Sequence, residues 1–279
     1  MLVNGKKILE KAKEKGEVIF HFNINNLEWT KYILEECNKL KIPVILGVSE
    51  SAVKYMGGYD VVYSIVSSLI KDLSIEIDVV LHLDHGKSFE SCKMAIDAGF
   101  TSVMIDKSHE SFENNVRETK KVKEYANMKD VFVEAEIGSM GSINNQNLKL
   151  GYRTNVSDCI NFVKLTNVDS LAPSVGTVHG IYKGELNIDY DLIKKISDNI
   201  SIPLVLHGGS GLSNDILIKC KSAGITKINI NSDLQNAWSK GVREYLKDNN
   251  EVIDPRKIIE SGMNNLKNEI DYKVNINFH

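Results

Sequence analysis

Three short stretches of the chain put histidines beside groups that can move a proton or cradle an anion. The first is Val79–Lys87, VVLHLDHGK, where Asp84 and His85 stand together after an apolar, alternating run. A carboxylate so placed can act as a general base, and the imidazole next to it can hold a metal ion. A plain surface turn would accommodate the same pair, because polar clusters at strand ends are common. Two later stretches favour chemistry: GTVHG at Gly176–Gly180 and LHGGSG at Leu206–Gly211 each set a histidine, His179 and His207, among glycines. His85, His179 and His207 together make the nitrogen donor set of a catalytic Zn²⁺ site with one position left open. Three unrelated hydrogen-bonded histidines are the competing reading, since ligands scattered through a sequence say less than a local motif. His82 is expected to be an inward core histidine with its hydrogen bonds met, and His21, His109 and His279 receive no role.

The loop His207-Gly208-Gly209-Ser210-Gly211 runs into a helical segment. Glycines allow backbone N–H groups to close around an anion, and Ser210 adds a hydroxyl. Asn229-Ile230-Asn231-Ser232-Asp233 also opens a helix, with further unsatisfied N–H groups. Singly, either is explained by a tight turn with ordinary capping. As a pair after the last two strands they favour phosphate, because barrels often bind it there.

Such residues must be brought together by regular elements. Apolar strands are read at 18–22, 43–48, 79–84, 102–106, 131–136, 169–172, 203–207 and 227–230, nearly all separated by amphipathic helical segments. The spacing predicts right-handed βαβ units, a parallel sheet and an α/β fold, a (β/α)8 TIM barrel with extra C-terminal helices at 238–246 and 255–270. A doubly wound sheet is the alternative, because a strand count is easily off by one. The GxGxxG of dinucleotide sites is missing after strand one, where His21-Phe22-Asn23-Ile24-Asn25 stands instead. The polar stretch 138–151 has no periodicity, and no linker or repeat divides residues 1–279, which are expected to form one domain. Asn23, Ser49, Asp84, His85, Asp106, Glu136, His179, His207, Asn229 and Asn231 fall at strand ends, whereas the starts are Val18, Pro43, Val79, Val131 and Pro203. That asymmetry places the chemistry at one mouth of the barrel.

A chain of 279 residues with 42% hydrophobic content can bury a large core, and a net charge of −3 argues against nucleic acid as a partner. No run approaches the ~18 uncharged apolar residues of a membrane span, and the first residues lack a secretory h-region. Cys37, Cys92, Cys159 and Cys220 lie far apart and read as reduced thiols, so a cytoplasmic location is expected.

With these residues assembled, the chain resembles the class II, zinc-dependent fructose-bisphosphate aldolases, in the shorter bacterial branch shared with tagatose-bisphosphate aldolases. The matching stretches, in family order, are FNINNLEW (22–29), PVILGVSE (43–50), LHLDHG (81–86), AIDAGFTSVMID (95–106), VEAEIG (133–138), VHGIYKGE (178–185), PLVLHGGSG (203–211), KININ (227–231) and DPRK (254–257). The resemblance implies reversible cleavage of fructose 1,6-bisphosphate to dihydroxyacetone phosphate and glyceraldehyde 3-phosphate by a homodimer or homotetramer. It implies zinc on His85, His179 and His207, with Asp106 and Glu136 as supports or alternate ligands, and Asp84 as base at the C4 hydroxyl. Gly180, Gly208, Gly209, Ser210, Asn229, Asn231 and Ser232 would hold substrate, with Ser49 and a neighbouring subunit's Arg256 at the far phosphate. A monovalent cation, Na⁺ or K⁺, would sit by the two His-Gly turns.

One departure stands out: the family's adjacent loop acids are absent, with no Asp or Glu between Ile137 and Ser157. An amide cannot replace the acid that moves the proton at the enediolate carbon. A sister aldolase for tagatose bisphosphate or another ketose phosphate, a zinc hydrolase, and a paralogue that binds without turnover are the remaining alternatives.

Overall fold

The computed structural model describes residues 1–138, 141–144, 147–149, 152–180 and 187–278, the backbone alone for 141–144, 147–149 and 179. In chain order the strands are β1 (Ile19–Asn23), β2 (Val44–Ser49), β3 (Val79–Gly86), β4 (Ser102–Ile105), β5 (Phe132–Ile137), β6 (Gly141–Asn144), β7 (Asn147–Lys149), β8 (Ser170–Pro173), β9 (Val178–His179), β10 (Leu204–Leu206) and β11 (Ile225–Ile230). Eight of them close a parallel barrel in the order β1-β11-β10-β8-β5-β4-β3-β2.

Helices start where the sequence offers capping oxygens. The Asn26 side chain accepts from the Trp29 N–H, and Ser88 forms a capping box with Ser91. Outward strand residues such as Phe22, Leu46 and Leu83 pack with helix residues such as Ile33, Leu34 and Cys92 in the main core.

The inside of the barrel changes character from floor to mouth. Ile19, Ile45, Val80 and Phe132 form an apolar floor, plugged by Ile8, Leu9 and Ala12 of the helix Gly5–Lys15. Two residues further along their strands come His21, His82 and Glu134, all buried, and after those Asn23, Asp84 and Glu136. Because side chains alternate along a strand, residues two apart share a face, and each strand lifts polar groups into the lumen above an apolar base.

Three readings of the sequence are corrected. Residues 141–149, expected to lack regular structure, supply the antiparallel pair β6 and β7 of a second, three-stranded sheet. His179, expected on the sixth barrel strand, lies on β9, which pairs with β6 outside the barrel. The barrel strand ends earlier, at Pro173, which has no N–H for a further ladder bond. The C-terminal helices also differ in extent. One runs Ser232–Asp248, and the expected 255–270 helix is two, Pro255–Glu260 and Met263–Val274. They part at Gly262, where a Cβ would lie 2.4 Å from Trp238 Cδ1.

Candidate active site

At the mouth, Asn23, Asp84, His85, Gly180, Gly208, Ser210, Asn229, Asn231 and Ser232 line a cleft of about 200 Å³. Eight residues expected at the site are therefore brought to one place from four separate parts of the chain: Asp84, His85, Gly180, Gly208, Ser210, Asn229, Asn231 and Ser232.

His85 carries an imidazole beside Asp84. Its φ of +52° is in the left-handed region that a non-glycine residue rarely occupies, a conformation held here by the strand on one side and Gly86 on the other. Nδ1 meets Asp106 Oδ2 at 2.8 Å, and Asp106 is itself fixed by the N–H and hydroxyl of Ser108. A carboxylate on one imidazole nitrogen sets the ring's orientation and makes the other nitrogen a better metal ligand. Burial opposes the imidazolium, but Asp84, Asp106 and Glu136 raise the His85 pKa to about 10.

His207 is held from both sides. Nδ1 lies 2.9 Å from Glu136 Oε2 and Nε2 lies 3.0 Å from Glu134 Oε1, with all three side chains buried. Burial again opposes charge, and the two carboxylates raise the His207 pKa in spite of it. Glu134 also takes Lys227 Nζ on both oxygens, at 3.0 and 2.8 Å. The His85 and His207 rings meet edge to face with centroids 4.8 Å apart.

Donor atoms of His85, Glu136 and His207 lie within 4.8 Å of one another. Two imidazoles and a carboxylate are a donor set that zinc accepts, so these residues fit the ion as ligands. The His179 side chain lies outside the described residues.

Asp84 sits beside His85 at the mouth, 7% exposed. Its Oδ2 accepts from Asn23 Nδ2 at 2.8 Å, and His85 Nε2 is 3.9 Å from Oδ1. Burial pushes the Asp84 carboxyl up, yet nearby histidine charge and the Asn23 hydrogen bond hold it well below the usual carboxylate range. Of the histidines, His21 contributes only if protonated, and burial with the Lys227 charge keeps it neutral. His85 and Asn23 therefore do the holding, and Asp84 stands ionised, able to accept a proton.

The anion cradle is tied together from behind. Ser210 Oγ accepts from the N–H groups of Asn231 and Asp233, at 3.0 and 3.4 Å, which turns its own O–H toward donation. The Asp233 carboxylate takes the Gly211 N–H at 2.9 Å, and Lys273 pairs with Asp233 at 2.7 Å. Gly208, at φ +67°, has room for no side chain, since a Cβ would be 2.4 Å from the Val178 carbonyl oxygen. Gly209 packs as closely against Ile228 and Asn229 behind the cleft.

Two expected residues are elsewhere. Ser49 pairs in register with Asp84, but its hydroxyl caps the helix Glu50–Met56 at Ala52 N–H. Arg256 is exposed and forks onto Asp254 in its own turn, outside the cleft of this chain. Sequence reading missed Glu134 and Lys227. The available signal was a charge at an inward position of an apolar strand, which is almost never buried without a partner.

The model of the class-II fructose-bisphosphate aldolase family matches residues 3–278. The chain belongs to that family. It is 48% identical to the fructose-bisphosphate aldolase of Geobacillus stearothermophilus over 267 residues, 95% of this chain and 93% of the relative. The Staphylococcus aureus (strain N315) fructose-bisphosphate aldolase is 46% identical over 274 residues, 98% of this chain and 96% of the relative. Among solved structures, the YdjI aldolase from Escherichia coli K12 superposes with a TM-score of 0.87 at 28% identity, covering 99% of this chain and 97% of that one. Membership makes the protein a class-II aldolase, a metal-dependent carbon–carbon lyase on a TIM barrel. Among the described residues no helix is long and apolar enough to cross a membrane.

Proposed function

We propose that the protein cleaves fructose 1,6-bisphosphate reversibly, with zinc as its metal and Asp84 as the base at the C4 hydroxyl. The observation that carries this reading is the meeting, in one cleft, of a buried ionised carboxylate, a metal-competent imidazole and an anion cradle. His85, Glu136 and His207 would hold the ion, with His179 the third imidazole that family resemblance implies. When bound, the ion supplies a Lewis acid that polarises the C2 carbonyl and steadies the charge that cleavage leaves there.

The protein's own residues do the rest. Asp84 Oδ1 has no hydrogen-bond partner among the described residues and takes the C4 hydroxyl proton, a contribution of about 10²–10⁴-fold. Asn23 keeps the carboxylate aimed while the proton moves. Ser210, Gly208, Asn229 and Ser232 bind the phosphate of the dihydroxyacetone half, and that remote binding holds C3 and C4 in line with the base. Arg256, so exposed in its own chain, fits a role at the far phosphate of a neighbouring subunit in a homodimer or homotetramer. The two His-Gly turns meet at Val178 and Gly208, where a monovalent cation would find backbone oxygens.

Steady-state cleavage of fructose against tagatose bisphosphate, with and without a chelator, tests the reading. Preference for the fructose substrate and loss of activity with chelator are expected; chelator-insensitive cleavage would overturn the metal role. The absence of acids between Ile137 and Ser157 predicts slow protonation of dihydroxyacetone phosphate. Tritium exchange into that product should be slower than in relatives that carry the loop acids, and exchange as fast as theirs would refute this.

A further inference from the structure

Directly beneath the proposed metal ligands lies a second group of donors. His21 on β1, His82 on β3 and Asp84 on β3 are all buried, and one donor atom from each lies within 4.8 Å of the others. Both nitrogens of His21, Nε2 of His82 and Oδ1 of Asp84 have no hydrogen-bond partner among the described residues. Buried polar atoms left unpartnered so close together are costly unless something occupies the space between their side chains.

The surroundings suit a cation with a taste for nitrogen. Both imidazoles are kept neutral by burial and by Lys227, His82 with its pKa at about 3, so both present lone pairs. Asp84 supplies the negative charge, and Ser102 Oγ at 2.7 Å from His82 Nδ1 fixes that ring as a supporting hydrogen bond fixes a metal-bound histidine. The Lys227 ammonium is already neutralised by Glu134. Two bonds of ~2.1 Å span about 4.2 Å, so one ligand must close in slightly. His21 can, since no hydrogen bond among the described residues restrains its ring, and its Nε2 lies 3.9 Å from Asp84 Oδ2. Gly47 makes the space, as a Cβ there would fall 1.6 Å from His21 Nε2.

We propose that His21, His82 and Asp84 form a second site for a divalent transition-metal ion such as Zn²⁺, and that filling it inhibits the enzyme by taking Asp84 away from the substrate. Two imidazole nitrogens with a single carboxylate select such an ion over Mg²⁺ or Ca²⁺, which prefer a shell of oxygens. The inhibition, though not the binding, rests on Asp84 being the base of the proposed aldol cleavage.

Equilibrium dialysis of the full chain against Zn²⁺, read by elemental mass spectrometry, tests the binding. Wild type should hold two ions, and His21→Leu and His21→Gln one each, with melting temperatures at one equivalent reporting that the variants fold. His85→Ala should also hold one, in the lower site. One ion in wild type, retained in both His21 variants, would overturn the second site and leave the upper site untouched. For inhibition, the second equivalent should lower wild-type cleavage at least tenfold while His21→Gln shows no such fall. Equal inhibition of both proteins would refute the assignment.

Discussion

The cluster at the mouth, His85 with Glu136 and His207, and the cluster below it, His21 with His82 and Asp84, use the same two kinds of side chain on one barrel. They differ in how their imidazoles are held. His85 leans on Asp106, and His207 lies between Glu134 and Glu136, so carboxylates orient both rings and raise their pKa. His82 has only a serine hydroxyl and His21 has no hydrogen bond among the described residues, so burial dominates and both stay neutral. An imidazole pair is thus made rigid and basic, or loose and neutral, by whether an acid stands behind each ring. Asp84 belongs to both clusters, and its reactivity depends on which one engages it.

The comparison can be broken most severely at His207. His207→Ala removes a proposed ligand and leaves Glu134 and Glu136 short of a partner, so cleavage should fall to the chelated background and zinc content at the mouth should drop, read by dialysis and assay. Asp84→Asn keeps the mouth cluster intact. It should lower kcat by about 10²–10⁴-fold with the mouth ion retained, and a smaller loss would mean that another group takes the C4 proton.

Lys227→Met sharpens the comparison from below. It leaves Glu134 buried without its ammonium, which should cost about 3–5 kcal/mol in urea unfolding, and full stability would show that His207 alone neutralises Glu134. The last test is a pH dependence. His85 has a folded pKa of about 10 against an ordinary 6.5, so its stabilising contribution is complete below pH 6.5 and lost as pH rises toward 10. The chelated protein should therefore melt lower at pH 10 than at pH 6, and a melting temperature that rises over that interval would contradict the pairing with Asp84 and Asp106.

Much of this site was legible in the chain itself. Alternating apolar residues marked β1, β2, β3, β5 and β11, and the polar residues that close those strands marked the mouth. HLDHG and HGGSG pointed to Asp84, His85, Gly208 and Ser210 of the cleft, and to His207 behind it, before any coordinates, because a turn that brings backbone to an anion needs residues without side chains. The side sheet was illegible, since β6 and β7 lack an apolar face and β9 is two residues long. Periodicity needs more residues than that to register.

The partners of those residues were a different matter. Order along the chain determined the barrel, the end at which chemistry collects and the kinds of side chain available there. Only the closed barrel decided that Glu134 meets Lys227 and His207, that Asp106 backs His85, and that His21 comes to rest against Gly47 beneath Asp84. Each of these pairs joins residues carried by different strands or by the turns that end them. Alternation tells which face a side chain takes, whereas strand tilt and stagger set the height at which it meets its neighbour, and burial then decides which proton it keeps.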